Sequence, residues 1–358
     1  MRAAGRSGRA LARVIRFLTM KVRFALAALL CTAFGISASA ASNDLTAYFI
    51  DVEGGQATLF VTPSGQSVLV DTGWGGFEGR DADRIAKAAQ EAGVKQIDYL
   101  IITHFHADHV GGVPQLAAKL PIKNFVDHGE SVELKTAQGK KFYDDYMAEV
   151  AKGHHIVVKP GDKLPIKGLN WIIVSAAGKV IDKPLPGAGQ PNPECSSFEK
   201  RKLNEGDENG QSTGSFIQFG SFRTVDLGDL LWAKEEGLFC PVNKIGTVDV
   251  YIVSHHGMNM SGSPQMVHAL HPKVAIMDNG EKKGGTVVAW STIHDTPGVQ
   301  DIWMSHFSAA GGKEHNSPEN EIANLSSDDD KGYSLKLVAH RNGHFEVTNE
   351  RNSFSKKY

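Results

Sequence analysis

The chain has 358 residues, with 38 Lys and Arg against 40 Asp and Glu, 15 His and 3 Cys. This length suits one large α/β domain or two small ones. Apolar residues at 41% and charged residues at 22% exclude a disordered or fibrous chain. Three cysteines exclude a dense disulfide scaffold and a zinc site built from four thiolates.

The first 40 residues carry seven basic side chains and no acidic one. An apolar run from Phe24 to Ile36 follows the basic segment and ends in the small residues Ala38-Ser39-Ala40. This order of a basic segment, an apolar run and small residues is typical of a secretory signal peptide. Met20 is a candidate true start. The apolar run is too short to serve as a membrane anchor. We expect residues 1–40 to be removed. Residues 41–358 would then be a periplasmic or secreted protein with no stable membrane association, and its 31 basic and 40 acidic groups would give a net charge of −9.

Export changes the interpretation of the cysteines. Cys31 would leave with the signal peptide, and Cys195 and Cys240 would remain. In an oxidising compartment two cysteines can form a disulfide. Two unpaired thiols are the alternative, because the sequence does not give the distance between them.

Strand and helix signals alternate along the rest of the chain and predict one α/β domain at 41–358. The first signals are short β-rich runs, a helix with Asp81 as its predicted N-cap, and a buried strand that ends at Thr103. Residues 178–213 are polar and predict a long surface insertion. The later predicted strands are 215–219, 222–227, 248–254, 274–278, 334–340 and 345–349.

The most informative segment is Thr103-His104-Phe105-His106-Ala107-Asp108-His109. In an extended stretch beyond a strand end, His104 and His106 point to one side and can converge on one cation, whereas a helix would separate them. Asp108 and His109 lie on the following turn and can face a second cation. Imidazole with carboxylate suits Zn²⁺ and also Mn²⁺ or Fe.

This segment resembles the signature of the metallo-β-lactamase superfamily of metallohydrolases. Val70-Asp71-Thr72-Gly73 resembles its early aspartate element, Gly228-Asp229 its metal-bridging aspartate, and His255-His256-Gly257 its late histidine element. The resemblance implies a four-layer αββα sandwich.

Further elements resemble one subgroup, the hydrolase domain attached to bacterial competence DNA-uptake channels. These elements are Asp51 to Ala57, Asn209 to Ser212, and Ser261 after the His-His-Gly. The sequence lacks the long apolar segments of a membrane channel, so we expect a free-standing exported relative.

The resemblance implies a first metal site made by His104, His106 and Asp229. It implies a second site made by Asp108, His109 and Asp229 with one late histidine. We favour His255 as that histidine because it directly follows a predicted strand.

Other residues have supporting or alternative roles by the same resemblance. His256 is a supporting residue or an alternative ligand, and Asp71 is more consistent with hydrogen bonding to the histidine loop than with metal binding. Much of the superfamily has another metal-binding His ahead of the bridging Asp, and this chain has Asn209 in that region instead. We therefore expect one or two Zn²⁺ ions, with Mn²⁺ or Fe as alternatives. Trp74, Asn279 and His306 are candidate pocket residues.

The resemblance implies hydrolysis by a metal-bound hydroxide, with Asp108 and Asp229 as catalytic residues. A phosphodiester, either a small molecule or a nucleic acid, is the first substrate prediction. The net charge of −9 is unfavourable for a polyanion. A lactam or lactone hydrolase is therefore an alternative, and a non-catalytic exported module with a bound metal is another.

Overall fold

The computed structural model describes residues 43–199, 207–328 and 331–358. The predicted signal peptide at residues 1–40 lies outside the described residues. Within the described ranges, no helix combines the length and the apolar character needed to cross a membrane.

The described ranges contain short strands and mostly short helices. In chain order the strands are β1 (Leu45–Phe49), β2 (Thr58–Val61), β3 (Ser67–Val70), β4 (Ile97–Ile101), β5 (Ile122–Asp127), β6 (His154–Val157), β7 (Lys163–Leu164), β8 (Asn170–Ala176), β9 (Lys179–Val180), β10 (Gln190–Pro191), β11 (Gly214–Phe219), β12 (Phe222–Asp226), β13 (Val242–Asn243), β14 (Val250–Ile252), β15 (Val274–Met277), β16 (Asp301–His306), β17 (Ile322–Asn324), β18 (Leu335–Ala339), β19 (Phe345–Asn349) and β20 (Phe354–Lys357). The α-helices are α1 (Arg80–Glu91), α2 (Ala107–Val110), α3 (Val113–Ala117), α4 (Ala137–Val150), α5 (Trp232–Phe239), α6 (Pro264–Leu270) and α7 (Val287–His294).

The strands form two large mixed sheets and one small pair. The first sheet has the order β20-β19-β18-β1-β2-β3-β4-β5-β6. The second has the order β17-β16-β15-β14-β12-β11-β8-β7, and β9 also pairs with β8. The small pair is β10 with β13. Because β1 pairs with β18, strands from distant parts of the chain complete the first sheet.

Three clusters of buried side chains define the layers. Between the sheets, Phe60 of β2 packs edge-on against Trp171 of β8, with ring centroids 5.3 Å apart. On the outer face of the first sheet, a cluster includes Ile85 of α1. On the outer face of the second sheet, a cluster includes Leu238 of α5 and Val267 of α6. The fold is therefore the predicted four-layer αββα sandwich.

Parallel pairing brings the candidate site residues to common sheet edges. Strands β3 and β4 run parallel, so Asp71 and His104 follow their strands at the same edge. Strands β12, β14 and β15 also run parallel, so Asp229, His255 and Asp278 follow theirs at a second common edge. The carboxyl ends of parallel strands are the usual location of ligand sites in α/β proteins.

The first long helix begins differently from the prediction. Helix α1 starts at Arg80 with Gly79 as its N-cap. Asp81 lies inside the first turn, where its carboxylate accepts the N–H of Trp74 at 2.8 Å and pairs with Arg80 at 2.7 Å. The predicted N-cap at Asp81 is wrong because this carboxylate anchors the preceding loop.

The polar segment at 178–213 contains β9, β10 and short 3-10 turns, and its residues 200–206 lie outside the described ranges. Cys195, in this segment, forms a disulfide with Cys240, and their Cα atoms are 5.6 Å apart. Cys240 directly follows helix α5, so the disulfide ties the polar segment to the end of that helix.

Candidate metal centre

Four buried residues form the centre of the candidate site. The candidate ligand atoms of Asp108, His109, Asp229 and His256 all lie within 4.8 Å of one another. His109 Nε2 is 3.3 Å from Asp108 Oδ2, 3.3 Å from Asp229 Oδ2 and 3.2 Å from His256 Nε2. Two imidazoles and two carboxylates at this spacing are a suitable donor set for a divalent cation. We call these residues the four-residue group.

The two imidazoles of the four-residue group are each backed by a carboxylate. His109 Nδ1 is 2.7 Å from Asp71 Oδ2, and His256 Nδ1 is 3.4 Å from Asp278 Oδ1. A carboxylate beside Nδ1 keeps the proton on that nitrogen and leaves the Nε2 lone pair for a metal. Asp71 therefore lies behind His109 and outside the four-residue group.

His104 and His106 lie beside this group. His104 Nε2 is 3.0 Å from His106 Nδ1 and 3.9 Å from Asp229 Oδ2. The hydroxyl of Thr103 hydrogen-bonds the other ring nitrogen of His104, at 3.1 Å. Asp229 thus faces both the histidine pair and the four-residue group.

The structure places His256, not the favoured His255, with Asp108 and His109. His255 Nε2 is instead 3.3 Å from Asp229 Oδ2, and its Nδ1 hydrogen-bonds the hydroxyl of Ser261 at 3.1 Å. Both histidines have left-handed backbone conformations, with φ of 55° and 54°. The chain therefore turns sharply after β14. Because of this turn, the imidazole of His256 faces His109, although His255 is closer to the end of the strand. Such a conformation costs about 1–2 kcal/mol for each non-glycine residue, and this kind of strain is concentrated at functional sites.

A close backbone approach positions Asp229. Gly228 has φ +55°, and a Cβ at this residue would lie 2.8 Å from Thr103 Cβ. Only glycine therefore allows the turn before Asp229 to pack on the end of the strand that carries the histidine segment. Thr103 is itself fixed, because its N–H and hydroxyl donate to the Asp71 carboxylate at 2.8 and 2.7 Å.

The carboxylates of the site respond to burial and to the imidazoles. Burial raises the pKa of Asp229 and Asp108, but the imidazoles around them have the larger combined effect, and both pKa values are well below the usual range. For Asp71, burial outweighs the hydrogen bonds from His109 and Thr103, and the pKa is raised.

The imidazoles fall into two classes. Burial lowers the pKa of His104 and His255. Burial also lowers the pKa of His109, but three carboxylates raise it well above the usual value. For His256, burial and the Lys283 charge lower the pKa, while Asp229 and other neighbouring carboxylates raise it, to about 10. In the absence of a cation, His109 and His256 therefore hold protons that a bound metal would displace.

Sequence reasoning missed Lys283 as a site residue. Its Nζ contacts Asp108 Oδ2 and lies 5.2 Å from the ring centroid of Trp74. About 30% of the Lys283 side chain is exposed, so it lies between the buried site and solvent. The only sequence signal was a Lys282-Lys283 pair, which ordinary surface charge explains equally well. Trp74, a predicted pocket residue, is half-buried beside Lys283.

Glu208 was also missed, although it supports the histidine segment. Its buried carboxylate accepts hydrogen bonds from Phe105 N–H at 3.2 Å, His128 Nε2 at 2.9 Å, and Ser131 Oγ at 2.8 Å. Burial raises the pKa of Glu208, but the hydrogen bonds and the charge of His128 lower it below the usual value. The neighbouring Asn209 is buried, and its Oδ1 has no hydrogen-bond partner among the described residues.

His306 lies in a separate group. Its Nε2 is 2.7 Å from Asp51 Oδ1 and 3.6 Å from Glu53 Oε2. Arg84 Nη1 is 2.9 Å from Asp51 Oδ2 and already supplies positive charge, so we interpret the group as an ion-pair network. Asn279 donates from Nδ2 to the carbonyl of His306 at 2.8 Å and therefore positions this part of the chain.

A comparison with known families identifies the family of the first part of the chain. Residues 50–188, which include Asp71 and the whole histidine segment, match the sequence profile of the Metallo-beta-lactamase superfamily. The match identifies residues 50–188 as a segment of metallo-β-lactamase superfamily sequence. The superfamily fold and the candidate site together imply a divalent metal. Asp229 Oδ1 is buried without a hydrogen-bond partner among the described residues, which fits an oxygen available to a cation.

Two curated relatives confirm the resemblance to competence proteins. The chain is 27% identical over 195 residues to ComE operon protein 3 of Bacillus subtilis, and 25% identical over 233 residues to Recombination protein 2 of Haemophilus influenzae. The matches cover 53% and 64% of this chain but only 21% and 24% of the relatives. Among solved structures, the chain is similar to Igni18, a metallo hydrolase from Ignicoccus hospitalis, with 14% identity and a TM-score of 0.40, over 72% of this chain and 94% of Igni18.

Proposed function

We propose that this chain is a metal-dependent hydrolase that cleaves phosphodiesters. The observation that carries the proposal is the convergence of His109 Nε2 and His256 Nε2 on two carboxylates, with ligand atoms within 4.8 Å. Lys283, whose side chain is about 30% exposed, contacts the candidate ligand Asp108, and a partly exposed cation beside the ligands supports a site that admits a substrate.

The two parts of the site have unequal donor sets, so we propose unequal metal affinities. The four-residue group offers four donors. The His104–His106 pair contacts the buried Asp229 at 3.9 Å and Glu133 at 3.5 Å, and about a third of the Glu133 side chain is exposed, so this donor set is less buried. Zn²⁺ is the first expectation, with Mn²⁺ or Fe as alternatives. Elemental analysis during a zinc titration is expected to show one tightly bound zinc ion per chain before a second one binds. Two zinc ions bound with equal affinity would contradict this order.

A divalent cation bound here would supply Lewis acidity and activate a water molecule for attack. The chain itself supplies orientation. Asp71 holds the proton of His109 on Nδ1, at 2.7 Å, and so presents Nε2 to the site. The Asp108 carboxylate, which Lys283 contacts, is placed to orient the attacking water. Burial of these groups excludes bulk water and strengthens each electrostatic contact.

The charge of the molecule supports a small substrate. After removal of residues 1–40 the chain would carry a net charge of −9, which opposes a long polyanion. The cationic, partly exposed Lys283 beside Asp108 favours a compact anionic group. A small phosphodiester satisfies both conditions better than long DNA does.

A substrate panel tests the proposal. The panel contains bis-p-nitrophenyl phosphate, single-stranded DNA, a lactone and nitrocefin, each with Zn²⁺ and with Mn²⁺. We expect turnover of the small diester, and loss of that turnover when a chelator removes the metal. Turnover of the lactone or nitrocefin alone would overturn the proposal in favour of a cyclic amide or ester hydrolase. Inactivity across the panel, with Asp108→Ala as stable as the wild type, would favour a non-catalytic metal-binding module.

We also propose that the protein works in the periplasm or outside the cell. The basic and apolar order of residues 1–40 supports export. The Cys195–Cys240 disulfide fits an oxidising compartment. N-terminal sequencing of the purified native protein is expected to begin at Ala41, and a mature chain that begins at Met1 or Met20 would contradict export.

A further inference from the structure

Lys283 occupies a position that the surrounding backbone determines. Its loop follows β15 and turns back through a hydrogen bond from Gly280 N–H to the Lys283 carbonyl, at 2.9 Å. After Lys283, Gly285 N–H donates to the His256 carbonyl at 2.9 Å. A Cβ at Gly284, which has φ +80°, would lie 2.0 Å from that same carbonyl oxygen. The loop is therefore closely packed on the metal centre.

The ammonium group has one ion-pair partner within the described residues, and that partner is Asp108. Asp108 Oδ2 is also 3.2 Å from His256 Nε2 and 3.3 Å from His109 Nε2. When a cation takes the Asp108 carboxylate as a ligand, the same carboxylate can no longer fully neutralise Lys283. The lysine then remains as an unbalanced positive charge beside the metal centre.

The second contact of Lys283 is with an aromatic ring. Its Nζ lies 5.2 Å from the centroid of the Trp74 ring, within the range of a cation–π interaction. The side chain is about 30% exposed, so part of it faces solvent. Lysine also has a flexible stem and three N–H donors, which suits it to an oxyanion that approaches from outside.

We propose that Lys283 binds the anionic group of the substrate, an inference that rests on the proposed phosphodiester hydrolase function and assigns its charge selectivity. One non-bridging oxygen of a phosphodiester accepts a hydrogen bond from Nζ while the phosphorus faces the metal centre. A neutral lactone offers only uncharged oxygens, which the ammonium group attracts less strongly. Lys283 therefore makes the site select monoanionic esters over neutral ones.

Binding of inorganic phosphate to the zinc-loaded protein tests this residue without turnover. Titration calorimetry would compare the wild type with Lys283→Met, Lys283→Arg and Lys282→Met. Lys282 is the matched control because it is the adjacent lysine and is exposed. A charged hydrogen bond contributes enough to change affinity by about tenfold or more. We expect Lys283→Met to weaken phosphate binding by about this factor, Lys283→Arg to retain most of the affinity, and Lys282→Met to stay within about twofold of the wild type.

Kinetics provide the second measurement. For bis-p-nitrophenyl phosphate we expect Lys283→Met to raise KM about tenfold. The same variant should change KM for the neutral p-nitrophenyl acetate by less than about threefold, because that ester offers the ammonium no charge. Zinc content should stay at the wild-type level.

Three results would overturn the inference. The first is unchanged phosphate affinity in Lys283→Met, and the second is an equal loss in Lys282→Met. The third is loss of zinc from Lys283→Met, which would make Lys283 a support for Asp108 only. A wild type that binds phosphate through Lys283 but turns over no diester would refute the proposed function and leave the anion site standing. Failure of the Lys283 inference and failure of the proposed hydrolase function therefore give different results.

Discussion

The Nε2 atoms of His109 and His256 face each other at 3.2 Å, although the residues are 147 positions apart in the chain. Two imidazole nitrogens at this distance require a proton or a cation between them, because two lone pairs repel. Asp71 hydrogen-bonds Nδ1 of His109 at 2.7 Å, and Asp278 Oδ1 lies 3.4 Å from Nδ1 of His256, so each ring has a carboxylate on the side away from the other. The cation-binding role of the two histidines can therefore be tested by changing the residues behind them, which are not themselves candidate ligands.

The first prediction concerns the carboxylate behind His109. Asp71→Asn keeps the size of the side chain and tolerates the left-handed backbone at this residue, where φ is 59°. The variant removes the negative charge that holds His109 Nδ1 at 2.7 Å. We expect zinc affinity to fall about 10–100-fold, measured by competition with a chromogenic chelator. Asp145→Asn, on the exposed surface of α4, is the control, and a loss below about threefold in Asp71→Asn would contradict the assigned role.

The second prediction concerns the support of the histidine segment. Glu208→Gln replaces a buried acceptor by an amide whose N–H groups face other donors, including the hydroxyl of Ser131 at 2.8 Å. We expect the free energy of unfolding to fall by about 1–3 kcal/mol, measured in urea at neutral pH. The exposed Glu130→Gln serves as the matched control. Equal stability of the two variants would show that Glu208 is dispensable.

The pKa of Glu208 also gives a sign for the pH dependence. The pKa of Glu208 in the folded state lies below the ordinary value of 4.5. The ionised carboxylate therefore stabilises the folded state above that pH, and this stabilisation is lost as the pH falls and the carboxylate is protonated. The stability difference between the wild type and Glu208→Gln should therefore shrink in acid. A difference that grows as the pH falls would contradict this sign.

The third prediction has the opposite pH sign. Burial raises the pKa of Asp226 to about 7, against an ordinary value of 3.8, although hydrogen bonds from Gly228 N–H and Gln56 act to lower it. Between these pH values the folded state binds more protons at Asp226 than the unfolded state, so this group loses stability as the pH rises through the window. In metal-free protein, Asp226→Asn should gain stability relative to the wild type as the pH rises from about 4 to about 7, by an amount on the order of 4 kcal/mol. Urea unfolding at a series of pH values measures this, and a difference that does not change with pH would refute it.

The fourth prediction concerns the disulfide. The residues it joins are 45 positions apart, and in the chain-entropy model such a loop contributes about 3–4 kcal/mol. We expect the double variant Cys195→Ser and Cys240→Ser to lose about this much unfolding free energy. A reductant should destabilise the wild type to the level of the variant and leave the variant unchanged. If the reductant also destabilised the double variant, its effect on the wild type could not be attributed to this disulfide.

Local spacing explains why part of the site was predictable from the sequence. His104, His106, Asp108 and His109 are close in sequence and directly follow a buried strand, so their proximity needs no knowledge of the rest of the fold. Asp71 and Asp229 also follow strands, and the structure brings both to the same centre. The αββα layers followed from the family resemblance.

The remaining contacts depend on tertiary structure. Lys283 is 175 residues from Asp108, and a pair of lysines has no spacing that indicates a site. Glu208 supports Phe105 from 103 positions away. The choice between His255 and His256 depends on two left-handed residues, and this conformation is uncommon enough that the His-His-Gly sequence alone does not specify it.

The sheet order has a consequence for how the protein is made. A nascent chain that has emerged only as far as β11 contains Asp71 and the histidine segment, but it lacks Asp229 and His256. Strand β1 has no partner on one side until β18 is synthesised, because the two pair in the finished sheet. The four donors of the four-residue group are therefore present together only in a chain that extends past the late histidine turn, and any shorter fragment lacks at least one of them.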